Sequence, residues 1–411
     1  MKKMLVHGQK DMLQIAIIDE SSLYEYYMEK TEHAGQLVGS IYKGRVVNVL
    51  PGMQAAFVDI GLPKNAFLYI DDVLHPHLER QPKEKPQIGQ LLQPGQELLV
   101  QVMKEPLGGK GARVTTHFSL PGRYLVYMPI ADYIGVSKKV STEAERSRMR
   151  AVGERIRLPG EGVILRTAAE GESLESLQQD VQFLREHWHE IRQRGETASA
   201  PTLVHRDADL VHRLVRDLLT TEIDEIWIDD GSVYRKTRAT MKRLAPAMLP
   251  RLRLFEPQIG GASLFQLNHI HEQLQEASQR RYRLKCGGDL VWDQTEALTV
   301  VDVNTGRFVG TSDLEDTVFR TNVEAAEQIA RLLRLRDVGG IIIVDFIDME
   351  EEQHREQVMH LLERRVRSDR TKCQVVGWTR LGLLEMTRKK VREQKILPVK
   401  DSVGHRDEAR S

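Results

Sequence analysis

Two apolar segments in the last third of the chain decide the fold: LTVVDVN at residues 298–304 and GIIIVDFID at residues 340–348. Each is a short apolar run that gives way to polar residues, as expected of a buried strand. Between them, residues 322–336 (NVEAAEQIARLLRLR) have the three- and four-residue spacing of an amphipathic helix. Strands that alternate with helices predict an α/β architecture with a mainly parallel or mixed sheet covered by helices.

The ends of these two strands carry the candidate chemistry. Asp302 and Asp345 lie where each apolar run stops, and Asn304 shares a strand face with Asp302. If the strands are parallel neighbours, both carboxylates converge at the sheet edge where open α/β sheets bind ligands. Two carboxylates with room for waters suit Mg²⁺, which activates water and neutralises a scissile phosphate. The alternative is that these acids are helix caps or surface acids, which is what we expect of Asp348 and residues 350–352.

Charge is balanced over the whole chain but not locally. Lys and Arg number 59, as do Asp and Glu, so the formal net charge is zero. Residues 289–353 contain 15 acidic and 5 basic residues, and residues 354–395 contain 12 basic and 5 acidic residues. This pattern fits a metal site beside a polyanion groove, and it equally fits two solvated surfaces of opposite sign.

Residues 37–119 predict a small antiparallel barrel, because short β-branched and aromatic runs are separated by Gly and Pro. Phe57 and Phe67 lie in predicted strands, and Lys104 and Lys110 follow nearby in the same span. Aromatic rings that stack bases, beside cations that bind phosphates, are the components of a single-strand-binding surface. The alternative is that both rings are buried in the barrel core.

A second candidate binding pair ends the predicted strand GVILR. Arg166 offers a bidentate guanidinium and Thr167 a hydroxyl, which together suit a terminal phosphate. An ordinary strand-end salt bridge is the alternative. Residues 1–36 are too short for a core of their own, so we expect them to join an α/β layer formed by residues 206–280.

Composition excludes several classes of protein. The chain is 41% hydrophobic and has no apolar run near the roughly 18 residues of a spanning helix. Its start, MKKMLVHGQK, lacks the core of a secretory signal, and two cysteines cannot form a disulfide framework. We therefore expect a soluble, cytoplasmic, multidomain protein with no membrane span. We also predict a basic helix over residues 380–395 and a disordered tail over residues 397–411.

Taken together, the blocks of this sequence resemble the catalytic half of the bacterial ribonuclease E/G endoribonucleases. The resemblance extends from about residue 1 to residue 396. The blocks that carry it are IYKGRVVNVLPGMQAAFVDIG, GVILRTA, TEALTVVDVNTGRFVG, NVEAAEQIARLLRLRDVGGIIIVDFIDME and RLGLLEMTRKK.

The resemblance implies a multidomain α/β fold. An OB-fold RNA-binding barrel of the ribosomal-protein type and a 5′-end sensor would be inserted into an RNase H-like subdomain, followed by a DNase I-like catalytic subdomain. The implied spans are 1–36 and 206–276 for the RNase H-like subdomain, 37–119 for the barrel, 120–205 for the sensor, 277–396 for the DNase I-like subdomain and 397–411 for the tail.

The resemblance also implies roles for particular residues. Asp302 and Asp345 match magnesium ligands, and Asn304 matches an asparagine that assists at the scissile phosphate, so these three are the implied catalytic residues. The implied 5′-monophosphate pocket consists of Gly122, Val126, Arg166 and Thr167. The implied RNA-binding residues of the barrel are Phe57, Phe67, Lys110 and, in the same region, Lys104.

The implied reaction is Mg²⁺-dependent cleavage of single-stranded, AU-rich RNA to 5′-phosphate and 3′-hydroxyl ends. A 5′-monophosphate would stimulate it, and its roles would be rRNA processing and mRNA decay. Two alternatives stay open: a non-catalytic RNA-binding protein derived from this family, and a nuclease that acts on DNA.

One departure from the family pattern concerns assembly. The family usually carries a CPxC zinc-link motif after EMTRKKVRE, and here the sequence continues QKILPVKDSVGHRDEARS instead. Cys286 and Cys373 cannot supply the motif, which argues against zinc and against a zinc-linked dimer. A homo-oligomer built on another interface remains open. The small C-terminal domain and the degradosome scaffold arm are expected to be absent.

Overall fold

The computed structural model describes residues 1–9, 12–30, 37–75, 85–106, 109–140, 142–207, 210–257, 261–295, 297–306 and 314–389. The tail predicted at 397–411 lies outside these residues. Within the described ranges, no helix is both long enough and apolar enough to cross a membrane.

The described residues form strands grouped in four sheets, with helices packed between and around them. The strands are β1 (Lys2–Gln9), β2 (Met12–Asp19), β3 (Ser22–Lys30), β4 (Ile41–Leu50), β5 (Ala55–Asp59), β6 (Ala66–Tyr69), β7 (Glu97–Lys104), β8 (Arg113–Thr115), β9 (Leu120–Pro121), β10 (Leu125–Met128), β11 (Ile134–Val136), β12 (Gly162–Leu165), β13 (Thr202–His205), β14 (Ile223–Ile228), β15 (Leu252–Leu254), β16 (Arg281–Arg283), β17 (Asp289–Gln294), β18 (Leu298–Asn304), β19 (Gly340–Asp345), β20 (Cys373–Trp378) and β21 (Leu384–Arg388). The α-helices are α1 (Ile88–Leu91), α2 (Glu143–Ile156), α3 (Leu174–Thr197), α4 (Leu210–Arg213), α5 (Gly231–Leu244), α6 (Leu264–Leu267), α7 (Ile270–Ser278), α8 (Leu314–Leu335) and α9 (Glu352–Arg367).

The first sheet joins the N-terminal strands to a distant part of the chain. Its order is β15-β14-β1-β2-β3, with β1 parallel to β14 and antiparallel to β2. Met4 and Ile15 pack into a core shared with α4 and α5, whereas Leu5 and Ala16 pack into the core that contains α6, α7 and α8. Because both faces are buried, the apolar run of β2 is nearly continuous. The strands that the structure describes in this N-terminal segment join the later layer as predicted, through the pairing of β1 with β14.

The second sheet is a closed five-stranded barrel, consistent with an OB-like fold. The strands follow the order β4-β5-β6-β8-β7, and pairing of β4 with β7 closes the barrel. Gly44 of β4 lies close against β5, since a Cβ there would lie 2.5 Å from Cγ1 of Val58. Strand β13 adds to the outer edge of β4. The pairing of β6 with β8 is parallel, so the barrel is mixed rather than wholly antiparallel.

The third sheet, β11-β12-β10-β9, packs against α2 and α3. The fourth sheet has the order β16-β17-β18-β19-β21-β20, in which only β18 and β19 are parallel neighbours among the described strands. Helices α8 and α9 cover one face of the fourth sheet.

The helix predicted over residues 380–395 is wrong where the structure describes it. Residues Leu384–Arg388 form β21, which lies between β19 and β20, and residues 390–395 lie outside the described part of the chain. Leu384, Met386 and Arg388 are buried while the two residues between them are not, which is the two-residue period of a strand. The basic residues suggested an exposed helix, but Arg388 is buried against Asp369, with Nε donating to Oδ2 at 2.9 Å.

Strand β13 contributes a pH-sensitive contact between the barrel and α3. The His205 ring packs edge-on against the ring of His187, with 4.8 Å between centroids. Burial, with the nearby His187, lowers the pKa of His205 to about 4, against 6.5 for the free side chain. Between these values the unfolded state binds more protons than the folded state, so stability falls as the pH falls from 6.5 towards 4.

We therefore expect the free energy of unfolding to fall with acidification partly because of His205. Its contribution between pH 7.5 and pH 5 should be about 1–2 kcal/mol after allowing for partial exposure. Urea denaturation at both pH values should show a smaller decrease for His205→Gln than for the wild type. The control is His360→Gln, on the exposed surface of α9. An unchanged decrease in His205→Gln would contradict this prediction.

Candidate functional site

The two strand-end aspartates are direct partners in the fourth sheet. In the parallel pairing of β18 with β19, Asp302 lies opposite Asp345. The alternating residues of both strands are buried under α8 and α9: Val301, Val303, Ile342 and Val344. Asp302 is half-buried and Asp345 is exposed, so both carboxylates occupy the face that these helices leave open. The convergence expected of parallel neighbouring strands is therefore present.

Asn304 joins this pair at the end of β18. Its Nδ2 donates a 2.8 Å hydrogen bond to Oδ2 of Asp302. The bond holds one carboxylate oxygen of Asp302 in a fixed direction, and the exposed Asn304 side chain stays accessible from solvent.

The electrostatics of the pair favour a cation. Partial burial, together with the charges of Asp302 and Asp348, raises the pKa of Asp345. Asp348, which we expect to be a helix cap or a surface acid, is an exposed acid shortly before α9 begins at Glu352, and its charge also acts on Asp345. Among the described residues, no three His, Cys, Asp or Glu side chains group closely enough to hold a metal ion by themselves. Two carboxylates still fit Mg²⁺, which keeps several waters and uses one or two protein carboxylates.

Buried polar contacts fix the segment that follows β19. Asn322 of α8 is fully buried, and its amide donates to the carbonyl oxygen of Ile347 at 2.8 Å and accepts from the Ile347 N–H at 3.1 Å. Glu315 accepts hydrogen bonds from the N–H groups of Glu350 and Glu351. Sequence reasoning missed Asn322, although an amide at the start of an apolar helical stripe is a signal for a buried polar contact.

The four residues predicted to hold a 5′-phosphate lie in or directly after strands of the third sheet. Arg166 donates from Nη1 to the carbonyl oxygen of Gly122 at 2.7 Å. Val126 of β10 pairs with Ile164 of β12, two residues before Arg166. The exposed hydroxyl of Thr167 lies 3.1 Å from the hydroxyl of Ser137.

Asp217 is a partner of Arg166 that sequence reasoning missed. Nη2 of Arg166 lies 2.7 Å from Oδ1 of Asp217, and Oδ2 of Asp217 accepts from Arg216 Nη2 at 2.7 Å. Burial alone would raise the pKa of Asp217, but the two arginines lower it overall. Arg166 is thus held in place by a strand-end salt bridge, which was the alternative interpretation, and it also borders Gly122.

Gly122 has a steric reason to be glycine. A Cβ there would lie 2.5 Å from Oδ2 of Asp180. That buried carboxylate accepts hydrogen bonds from the N–H groups of Arg123, Tyr124 and Leu125. The close approach lets α3 fix the backbone just before β10.

The barrel places its aromatic and cationic residues in one line across four strands. Phe57 is opposite Phe67, Phe67 is opposite Arg113, and Arg113 is opposite Lys104. We call these four residues the barrel row. The two rings are half-buried, with centroids 6.0 Å apart and an edge-on arrangement, so they are not enclosed in the core.

Arg113 is a member of the barrel row that the sequence did not reveal. Its Nε and Nη2 donate to Oδ2 of the buried Asp72 at 3.2 and 2.9 Å. The backbone oxygen of Asp72 in turn accepts from the hydroxyl and the N–H of Thr116. Lys110 lies apart from the row and lines a cavity of about 370 Å³ together with Lys64 and Pro106.

Comparison with known proteins places the chain in a family. Residues 119–391 match the model of the Ribonuclease E/G family. The chain belongs to the ribonuclease E/G family. Over 397 residues it is 44% identical to ribonuclease G of Escherichia coli (strain K12), a match that covers 95% of this chain and 80% of that protein.

Two further members of the ribonuclease E/G family are similar over the same share of this chain. Ribonuclease G of Haemophilus influenzae is 41% identical over 398 residues, and the match covers 80% of that protein. Ribonuclease E of Escherichia coli (strain K12) is 38% identical over 397 residues, which is 37% of its length. The family model begins after β8 and so does not include the barrel. The similarity of the barrel to known proteins rests instead on the ribonuclease G match, which covers 95% of this chain.

Proposed function

We propose that this protein is a Mg²⁺-dependent endoribonuclease that cleaves single-stranded, AU-rich RNA and leaves 5′-phosphate and 3′-hydroxyl ends. Its ribonuclease E/G type of activity follows from family membership. The Mg²⁺ requirement, stimulation by a 5′-monophosphate, the AU-rich preference and a cytoplasmic role in rRNA processing and mRNA decay are the proposal. The observation that carries it is the pairing of Asp302 with Asp345 across β18 and β19.

The chemistry would take place at the open end of these two strands. Asp302 and Asp345 would hold Mg²⁺, which supplies a more acidic water and charge neutralisation at the scissile phosphate. Asn304 orients Asp302 through its 2.8 Å hydrogen bond, and the second N–H of its amide would donate to a phosphate oxygen. Asn322 positions the strand end that carries Asp345 by holding the backbone of Ile347.

The barrel row would hold the RNA strand. Phe57 and Phe67 offer two adjoining rings on which bases can stack, and Arg113 and Lys104 provide cations for the phosphates beside them. Lys110, which lies between Lys104 and Arg113 in the sequence but outside the barrel row, would add a third cation. Because Asp72 binds Nε and Nη2 of Arg113, the guanidinium is held in one orientation.

The 5′ end of the RNA would bind beside β10 and β12. Arg166 and Thr167 would bind the terminal phosphate, with Gly122 and Val126 forming the neighbouring backbone. The prediction that protomers do not assemble through a zinc link concerns the sequence after residue 389, which lies outside the described residues.

We expect Asp302→Asn and Asp345→Asn each to reduce Mg²⁺-dependent cleavage by about 100-fold or more, because each removes a carboxylate ligand of the Mg²⁺ that would neutralise charge at the scissile phosphate. RNA binding in EDTA should stay within about twofold of the wild type, since the barrel row is unchanged. The control is Asp293→Asn, an exposed carboxylate of β17 in the same sheet. Cleavage at the wild-type rate by both variants would reject the assignment of Asp302 and Asp345. If the wild-type protein itself binds RNA in Mg²⁺ but leaves it uncleaved, the non-catalytic alternative would be favoured.

We expect the wild type to cleave a 5′-monophosphorylated RNA faster than the same RNA with a 5′-hydroxyl. Arg166→Ala should bring the ratio of the two rates close to one, because the phosphate then loses its charged partner. Cleavage of the 5′-hydroxyl RNA should change little. Arg192→Ala, an exposed arginine of α3, is the control. If Arg166→Ala still cleaves the 5′-monophosphorylated RNA faster by the wild-type factor, the 5′-phosphate binds at a site other than Arg166.

The two kinds of residue in the barrel row should differ in their salt dependence. Arg113→Ala should weaken RNA binding and make the slope of log K against log[salt] shallower by about 0.7, since one phosphate contact is lost. Phe57→Ala should weaken binding by about 1–3 kcal/mol with the slope unchanged, because stacking releases no counterions. Fluorescence anisotropy in EDTA measures the affinity and its salt dependence. The control is Arg45→Ala, because Arg45 of β4 is paired with Glu97 of β7. Equal slopes for all four proteins would exclude a phosphate contact by Arg113.

A further inference from the structure

Helix α5 presents an exposed surface on which every charged residue is basic. Its sequence, GSVYRKTRATMKRL, contains no Asp or Glu. Its five exposed cations, which we call the α5 basic face, are Arg235, Lys236, Arg238, Lys242 and Arg243. On the opposite side, Thr237 and Met241 are buried against the core beneath the first sheet.

Most of this positive charge is not neutralised by neighbouring carboxylates. Among the described residues, Arg235, Arg238 and Lys242 have no carboxylate oxygen within 4.0 Å. Arg243 lies over the ring of Phe183, 4.5 Å from its centroid. Asp230, the acid at the start of the helix, accepts from two N–H groups of the first turn as its cap. Its pKa is lowered mainly by these first-turn hydrogen bonds, including one from the Ser232 hydroxyl, and only in small part by the charge of Arg235.

On two other exposed helices of the same protein, several arginines pair with glutamates of the same helix. On α2, Arg146 lies 3.0 Å from Glu143 and Arg148 lies 2.6 Å from Glu145. On α3, Arg192 lies 3.3 Å from Glu196. A protein with zero formal net charge therefore leaves α5 as a concentrated positive surface.

The arrangement on α5 does not stabilise the helix itself. Arg235, Arg238 and Lys242 follow one another at spacings of three and four residues, so they are neighbours on one stripe, and like charges at these spacings repel. The helix dipole favours cations only in the last turn, which accounts for Lys242 but not for Arg235 or Arg238. Neither helix stability nor the helix dipole accounts for the whole stripe.

The position of α5 separates it from the candidate active site. The helix packs beside β14 and β15, at one edge of the first sheet, whereas β3 at the other edge contacts α8. From Arg235 to Lys242 the stripe is about 10 Å long, enough to contact a few consecutive phosphates. We infer that the α5 basic face binds the phosphodiester backbone of an RNA segment distant from the scissile bond. This inference rests on the proposed function, because it takes RNA as the ligand.

The test compares RNAs of two lengths in EDTA, both with a 5′-hydroxyl so that the 5′ pocket is not engaged. The variant is Arg235→Gln/Arg238→Gln/Lys242→Gln. For an unstructured RNA of about 60 nucleotides, we expect affinity to fall roughly 10- to 100-fold at 0.1 M salt and the salt slope to become shallower by about 2. For an RNA of about eight nucleotides, which the barrel row alone can hold, affinity should stay within about twofold. Cleavage of the short RNA in Mg²⁺ should also be unchanged.

The control variant removes the same charge from other helices. Arg150→Gln/Arg155→Gln/Arg192→Gln takes three exposed arginines from α2 and α3, where glutamates lie nearby. Its affinity for the long RNA should fall much less than that of the α5 variant.

Three outcomes would overturn the inference. The first is an equal loss of affinity for the long RNA in the α5 variant and the control variant. The second is an equal loss of affinity for the long and the short RNA in the α5 variant. The third is an α5 variant that binds the long RNA as the wild type does but no longer binds vesicles of anionic phospholipid. The last would assign the stripe to a membrane surface. Failure of the wild type to bind either RNA would instead reject the proposed function, and the inference with it.

Discussion

The parallel register of β18 and β19 is the constraint on which the rest of the site depends. It sets Asp302 beside Asp345, and a shift by one residue in either strand would turn its aspartate towards the apolar helices α8 and α9. Neighbouring strands fix this register from both sides, since Asp302 pairs with Val291 of β17 and Val344 pairs with Leu384 of β21. A slip would therefore disturb four strands and bury a carboxylate without a partner, which is strongly unfavourable.

The same site keeps charges that the fold alone would avoid. Burial and two nearby carboxylates raise the pKa of Asp345, so the ionised form is disfavoured there. The fold holds this arrangement by satisfying the backbone around it, chiefly through the buried amide of Asn322 and the carboxylate of Glu315. Local repulsion that is maintained by well-satisfied supporting contacts is typical of functional sites.

The sequence predicted the features that repeat with a period along the chain. The apolar strands, the helix between them and the small barrel follow from two- and 3.6-residue patterns, and the strand ends follow from where the apolar runs stop. The prediction of a helix over residues 380–395 is wrong because positive charge does not determine secondary structure. The alternating burial of Leu384, Met386 and Arg388 is that of a strand.

The residues that sequence reasoning missed depend on contacts between distant parts of the chain. Asp72 holds Arg113 across 41 residues of sequence, and the parallel pairing of β6 with β8 is what brings Arg113 beside Phe67. Neither contact leaves a periodic pattern. The chain therefore indicates which residues could bind RNA, and the closed barrel determines which of them lie in one line.

The contact between Arg166 and Asp217 shows how a phosphate could enter an occupied salt bridge at modest cost. Removing the partner of a buried carboxylate is normally very unfavourable, because the charge is left unpaired. Asp217, however, has a second partner in the buried Arg216, 2.7 Å away, so it would remain paired if Arg166 turned to a terminal phosphate. At Arg166 the Asp217 carboxylate would be replaced by the RNA phosphate, and no charge would be left without a partner. The same exchange would break the contact between the third sheet and the segment before β14. On the proposed function, the state of the RNA 5′ end would in this way alter a contact between two parts of the protein.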